Sequence, residues 1–272
     1  FVFANNSKRD LKSTFAIGFN RLANYNNRFI ADGYNTSGSI TNYYAGIAGT
    51  TPEADLATER PFDAGLAYFT YLIDPVYNAN GSLTGYEGHT PNNVQQTTSA
   101  YVKGGKEEYL MALGLDYKDK LYFGATLGLP YTHYKSEVEY TETDKNNVHG
   151  DYESYREINT LRTQGLGING KFGMIYRPIE QLRIGIAAHT PTRNTLEDLY
   201  DVSMVSNFTG GQQYTQDSPD DNAGFKYIIS SPWRVTTGIS GIVKNLGFLS
   251  FDYEWVDYSQ AEINLDGYTQ LT

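Results

Sequence analysis

The sequence predicts an all-β fold, a transmembrane antiparallel β-barrel with a helical loop insertion. Three observations predict it. Long runs alternate apolar residues with small or polar ones. The connections between these runs alternate between short and long. The composition is rich in tyrosine and glycine, with 24 Tyr, 13 Phe and 27 Gly but only 2 Trp in 272 residues. Phenolic rings of that abundance suit the two interfaces of a bilayer.

The alternation is clearest from Gln164 to Ala188. Leu166, Ile168, Phe172, Met174 and Tyr176 fall on one face, opposite Gly167, Asn169, Lys171 and Gly173. After the connector 177–181, Leu182, Ile184, Ile186 and Ala188 share a face opposite Arg183, Gly185, Ala187 and His189. Successive side chains of a strand point to opposite sides, so each set owns one surface.

In chain order, residues 1–5 read as the tail of a strand and Asn5 to Leu11 as a turn. Ser13 to Asn26 alternates around Phe15, Ile17 and Phe19. A connection rich in Asn, Gly, Thr and Tyr follows over 27–105; a connection of that length should be functional, disordered or internally structured. Within it, Glu53 to Ile73 places Phe62, Leu66, Phe69 and Ile73 at helical spacing, stopped by Asp74-Pro75. The sequence predicts one helix there and no other. Strands then follow at 106–117, 121–140, 152–176, 182 to about 205, 223–243 and 247–265.

The short connections fall near 6–12, 118–120, 177–181 and 244–246, and the long ones at 27–105, 141–151 and 206–222. Short turns on one rim with long loops on the other is the outer-membrane pattern. A Tyr-rich soluble β-sandwich or carbohydrate-binding domain is the alternative, and it has no reason to sort its loops this way. Mean hydropathy of −0.48 is too polar for membrane helices. Barrels escape that test, because only alternate residues face lipid.

Other classes are excluded more directly. A net charge of −10 with no basic stripe excludes a nucleic-acid partner. With no cysteine there is no disulfide or thiolate metal site. His89, His133, His149 and His189 lack metal-ligand spacing, and no nucleophile elbow or phosphate loop is present. The reading is therefore a protein that is not an enzyme and needs no cofactor. The chain opens on Phe1-Val2-Phe3 and reads as an interior fragment of a longer polypeptide, with a mature secreted domain as the alternative.

A further set of segments stands out: Lys106-Glu107-Glu108, Leu121 to Pro130, Gly167-Ile168-Asn169 through Pro178, Leu182 to Gly185, His189 to Thr192, Ser231 to Arg234, and Phe251 to Ser259. In this order they resemble the FadL/TodX family of outer-membrane transporters, in its Bacteroidetes forms. The resemblance covers roughly residues 1–4, 13–26 and 105–265 and implies a fourteen-stranded barrel with a hatch in its lumen. About eight strands would lie in this chain, from the fourth to the eleventh.

The resemblance also implies passive uptake of long-chain fatty acids or other hydrophobic compounds across the bacterial outer membrane. Capture would occur at the loops and diffusion through the hatched lumen, among outer-membrane lipid and lipopolysaccharide. A barrel subunit or shuttle of a secretion complex, with an envelope partner, is the second expectation.

The candidate ligand-binding residues fall in two groups. Phe62, Leu66, Phe69 and Leu72 would either form an apolar capture surface or pack on the barrel rim. Lys171, Arg183 and Arg234 lie opposite the apolar faces of their strands, so they should point inward. There they would pair a carboxylate head group or hold a salt-bridged lumen with Glu107 or Glu108, Asp252 and Glu254. Pro130, Pro191 and Pro232 should mark bulges or kinks, since proline donates nothing to a ladder.

Overall fold

The computed structural model describes residues 1–5, 10–219, 224–243 and 247–265. The chain begins with β1 (Val2–Asn5), β2 (Leu11–Asn24) and β3 (Asn27–Asn35). An insert follows with α1 (Ile40–Ala48), α2 (Leu56–Glu59), α3 (Ala64–Phe69) and the hairpin of β4 (Ile73–Tyr77) with β5 (Leu83–Gly88). Then come β6 (Val94–Tyr117), β7 (Leu121–Thr143), β8 (Tyr152–Ile179), β9 (Leu182–His189) and β10 (Arg193–Phe208). The chain continues through β11 (Gln212–Asp217), β12 (Phe225–Ser230), β13 (Arg234–Val243), β14 (Gly247–Val256) and β15 (Glu262–Leu265).

Apart from the insert hairpin, these strands form one antiparallel sheet of 13 segments. Several staves are interrupted: β2 and β3 both pair with β6, and β9 and β10 both pair with β8. Counting each interrupted stave once leaves the eight that the alternation predicts. Each stave lies beside its neighbour in sequence, as hairpin connections require. The sheet is open among the described residues, with β1 at one edge and β14 and β15 at the other.

The prolines sit at ladder defects. Pro191 and Pro232 fall between β9 and β10 and between β12 and β13. At Pro130 the β7–β8 register is interrupted between Gly128 and Tyr131. In each case a residue with no N–H sits where no ladder bond is made.

Several boundaries differ from the sequence reading, and the loop expected over 206–222 contains the end of β10 and all of β11. The connection expected over 27–105 is strand at both ends, in β3 and in β6 from Val94, which leaves 36–93 as the insert. The segment VQQTTSAYVK shows no apolar alternation because both of its faces meet polar surroundings. The single helix expected over 53–73 is also replaced. Its first part is α2, then Pro61 intervenes, and Asp63 caps a new helix, α3, by accepting from the Ala64 amide at 2.6 Å.

Ile73 belongs to β4, and the expected stop at Asp74-Pro75 lies inside that strand. The longest helix is α1, which the sequence reading lacked. Ser39 caps its start and Gly49, with φ of +57°, ends it. The turn expected at Lys244-Asn245-Leu246, part of the one at Asn5 to Leu11, and part of the 206–222 loop lie outside the described residues.

The principal core lies between the insert and the upper ends of β8 and β10. It joins Tyr44, Leu56, Leu66, Leu72 and Ile73 to Tyr152, Tyr155, Val202, Met204 and Phe208. Burying each large aliphatic or aromatic side chain contributes about 2 kcal/mol. The insert is thereby packed against the sheet.

Candidate functional site

Register assigns the two surfaces of the sheet. Leu113, Phe123, Phe172, Met174, Ile184, Ile186, Ile239 and Phe251 share the outer face and are all exposed. Between them in sequence, on the inner face, stand Gly114, Gly124, Gly173, Gly185 and Gly238 with Lys171, Arg183 and Arg234. Gly114 pairs with Gly124, which pairs with Gly173, so part of the inner wall carries no side chains.

The polar centre of the inner face is Glu108, which is 1% exposed. It accepts from Lys171 Nζ at 2.6 Å and from Asn169 Nδ2 at 3.0 Å. Gly128 makes this approach possible, since a Cβ there would lie 2.5 Å from Glu108 Oε1 and 2.6 Å from Asn169 Oδ1. Gly128→Ala should therefore separate Glu108 from Asn169 and cost roughly 1–3 kcal/mol. Unchanged thermal unfolding of the variant would refute this packing.

Around the pair lies a cavity of about 220 Å³, lined among others by Lys106, His189, Thr190, Ser231, Arg234 and Tyr258. The interruptions of β9/β10 and β12/β13 meet here. The Thr192 amide donates to Ser231 Oγ at 2.8 Å and the Ser231 amide to Thr192 O at 3.1 Å. The broken staves thus provide a polar lining where a continuous ladder would leave only alternate side chains.

Arg234 lies 3.5 Å from Glu254. Arg183 has no ion pair among the described residues. It lines a cleft of about 490 Å³ with Tyr122, Ile175, Thr236, Ser240 and Asp252. The three cations lie on the face of the sheet opposite the apolar one, where Lys171 and Arg234 are engaged by carboxylates and Arg183 is available to an anion. Glu108 and Glu254 were both among the expected partners. Glu107 is on the other surface, where its carboxylate lies 3.2 Å from His133 Nδ1.

The insert residues are placed differently. Leu66 and Leu72 are buried in the insert core and present no surface to a ligand. Phe62 packs against Tyr200 with ring centroids 5.8 Å apart, and Phe69 remains 43% exposed. Of the two roles left open for this group, three of the four residues take the packing one. The cause is the break at Pro61, which turns α3 so that Leu66 faces the sheet.

Sequence reasoning missed the polar anchors of the insert. Glu142 is fully buried. It accepts from Ser39 Oγ at 2.5 Å, the Ile40 amide at 2.9 Å, Gln96 Nε2 at 2.7 Å and Tyr140 OH at 2.6 Å. Its charge sits at the N-terminus of α1, where helix amides favour an anion. Glu157 similarly accepts from the hydroxyls of Tyr44 and Tyr155 and from Asn159 Nδ2. The only sequence signal was a carboxylate two residues beyond a tyrosine in both strands, Tyr140-x-Glu142 and Tyr155-x-Glu157.

Burial, and then the nearby carboxylates, push the phenols of Tyr44, Tyr140 and Tyr152 well above the ordinary tyrosine range. Tyr155 is raised by burial first, then by Tyr44 and Glu157. A raised phenol contributes stability that is complete below its unfolded pKa, near 10, and is lost as pH climbs toward the folded value. An alkaline titration followed at the phenolate absorbance should show these four ionising late, together with release of the insert. Reversible ionisation of every tyrosine near pH 10, with the insert still protected from protease, would contradict it.

Burial raises the Asp144 carboxyl, but hydrogen bonds from the backbone amides of 149, 148 and 146 outweigh it and hold the pKa below the ordinary value. That contribution is present above the unfolded pKa and disappears as pH falls through the folded one.

No protein-family model, curated protein or solved structure matches this chain.

Proposed function

We propose that the chain forms part of an outer-membrane β-barrel that passes a hydrophobic small molecule, such as a long-chain fatty acid, across the bacterial outer membrane without an energy source. The observation that carries the reading is the outer apolar belt. Residues 121–131 of β7 place Leu121, Phe123, Ala125, Leu127, Leu129 and Tyr131 on one face, and 166–176 of β8 do the same with Leu166, Ile168, Phe172, Met174 and Tyr176. Eleven residues extend about 36 Å along a strand. At barrel tilt this projects to about 28 Å, close to the apolar band of a membrane barrel. Leu166 at 64% and Phe251 at 67% exposure would be costly in water.

Passage would use the inner face. The glycine-lined cleft around Arg183 admits an aliphatic chain, and the guanidinium can pair with a carboxylate head group. The insert lies against the inner surface of the upper sheet, so it would control entry from outside. Exposed Phe69 and Tyr71 supply the apolar surface for first contact.

The test reconstitutes the full-length protein in liposomes and follows uptake of labelled oleate. Uptake above empty vesicles is expected, with the belt strands protected from protease. Arg183→Gln should lower uptake of oleate about threefold to tenfold while leaving uptake of a neutral hydrocarbon unchanged. Oleate entry equal to that of empty vesicles would refute the proposal.

A further inference from the structure

On the outer surface just above the apolar belt, the sheet places three cations in one cross-strand row. Lys103 pairs in register with Lys135, and Lys135 with Arg162. Leu199 continues the row on β10. Like charges directly opposite one another destabilise a sheet unless an anion bridges them.

Among the described residues one carboxylate pairs with the row, Glu137, which accepts from Lys135 at 2.9 Å. Lys103 lies over the Tyr101 ring, 4.7 Å from its centroid. Arg162 makes no ion pair among the described residues. At the other rim Lys12 lies 2.5 Å from Asp119 and 3.5 Å from Asp116, and Lys118 lies 3.6 Å from Asp10. These two cations, unlike Arg162, have carboxylate partners.

The row borders a groove of about 610 Å³, to which Arg21, His133 and Leu199 also contribute. Arg21 lies 3.9 Å from Glu107, so its charge is partly satisfied, and His133 also faces that carboxylate. Lys135 stands four residues above Tyr131, the last member of the belt on β7. That is about 13 Å along the strand, or about 10 Å along the membrane normal at the same tilt, from where a lysine or arginine side chain reaches back into the headgroup layer, about 5–8 Å beyond the hydrocarbon whose edge Tyr131 marks.

We infer that Lys103, Lys135 and Arg162 form a binding site for the phosphate of an anionic lipid headgroup in the outer leaflet. This rests on the reading that the belt spans a bilayer. Arg162 supplies a planar fork for two phosphate oxygens, and the two ammonium groups supply point charges on either side. Leu199 offers the start of an acyl chain an apolar contact at the end of the row.

The experiment measures binding of dihexanoyl phosphatidylglycerol to the full-length protein in zwitterionic micelles. Dihexanoyl phosphatidylcholine and inorganic phosphate are the comparison probes. Phosphatidylglycerol should bind at least tenfold more tightly than phosphatidylcholine, and more weakly as salt rises. The combined variant Lys103→Gln, Lys135→Gln, Arg162→Gln should lose that preference, whereas Lys12→Gln with Lys118→Gln should keep it.

Equal binding of the two lipids, or a preference unchanged in the triple variant, would overturn the site. Inorganic phosphate binding as tightly as phosphatidylglycerol would overturn the lipid assignment and leave a free-anion site. Protease protection of the belt in liposomes separates the two readings. Protection without headgroup preference removes only this inference; absence of protection removes the membrane reading with it.

Discussion

Glu142→Ala should detach the insert from the sheet. The substitution leaves four donors without their acceptor: the Ser39 and Tyr140 hydroxyls, the Ile40 amide and the Gln96 amide. A hydrogen bond to a charged group is worth about 1.5–3 kcal/mol, and water entering the space recovers part of each loss. A net cost of about 3–5 kcal/mol is expected. Hydrogen exchange should accelerate across residues 36–93 and leave 106–117 and 121–131 protected. Loss of protection confined to α1, or none at all, would show that the apolar core holds the insert without this carboxylate. Glu142→Gln keeps the shape but donates where it should accept, and it should give an intermediate effect.

Glu108→Ala should be the most damaging single change around the inner-face cavity below the insert. It removes a side chain 1% exposed and strands both Lys171 and Asn169. The expected loss is about 2–4 kcal/mol, because Lys171 can turn partly toward water. Replacing both charges, as Glu108→Leu with Lys171→Met, should recover most of it, since an apolar pair needs no partner. A double variant as unstable as the single one would mean that the pair contributes through geometry the leucine cannot reproduce. The same variant also separates roles in transport. If oleate uptake survives loss of Lys171, the head group is received at Arg183.

The staves were legible because one rule governs them. Where one face of a strand meets apolar surroundings and the other polar ones, period-two alternation follows, and Phe123-x-Ala125-x-Leu127-x-Leu129 displays it. Above the belt that rule stops. Residues 94–105 and 27–35 are strand with polar side chains on both faces, so they read as loop. That Lys171, Arg183 and Arg234 lie opposite the apolar face followed from the same alternation.

Their partners depend on register, which alternation fixes only within a stave and not between staves. Glu108 meets Lys171 across the thickness of β7, through the space left by Gly128. The insert was least legible. The helix expected over 53–73 crossed Pro61, and Ser39 and Gly49, which bracket the true helix α1, enclosed tyrosines and β-branched residues of weak helix propensity.

The interrupted staves have a mechanical consequence. Breaks at 190–192 and 231–233 lie side by side, and the gap between β14 and β15 at 257–261 adjoins them. On the other side β6, β7 and β8 run through the same level as continuous strands of 24, 23 and 28 residues, with the β7–β8 ladder skipping only between Gly128 and Tyr131. One part of the sheet is therefore the stiffer along its length, while the other is creased at a single height. Bending should concentrate at the crease, so the section above it would tilt as a plate and leave the belt undistorted.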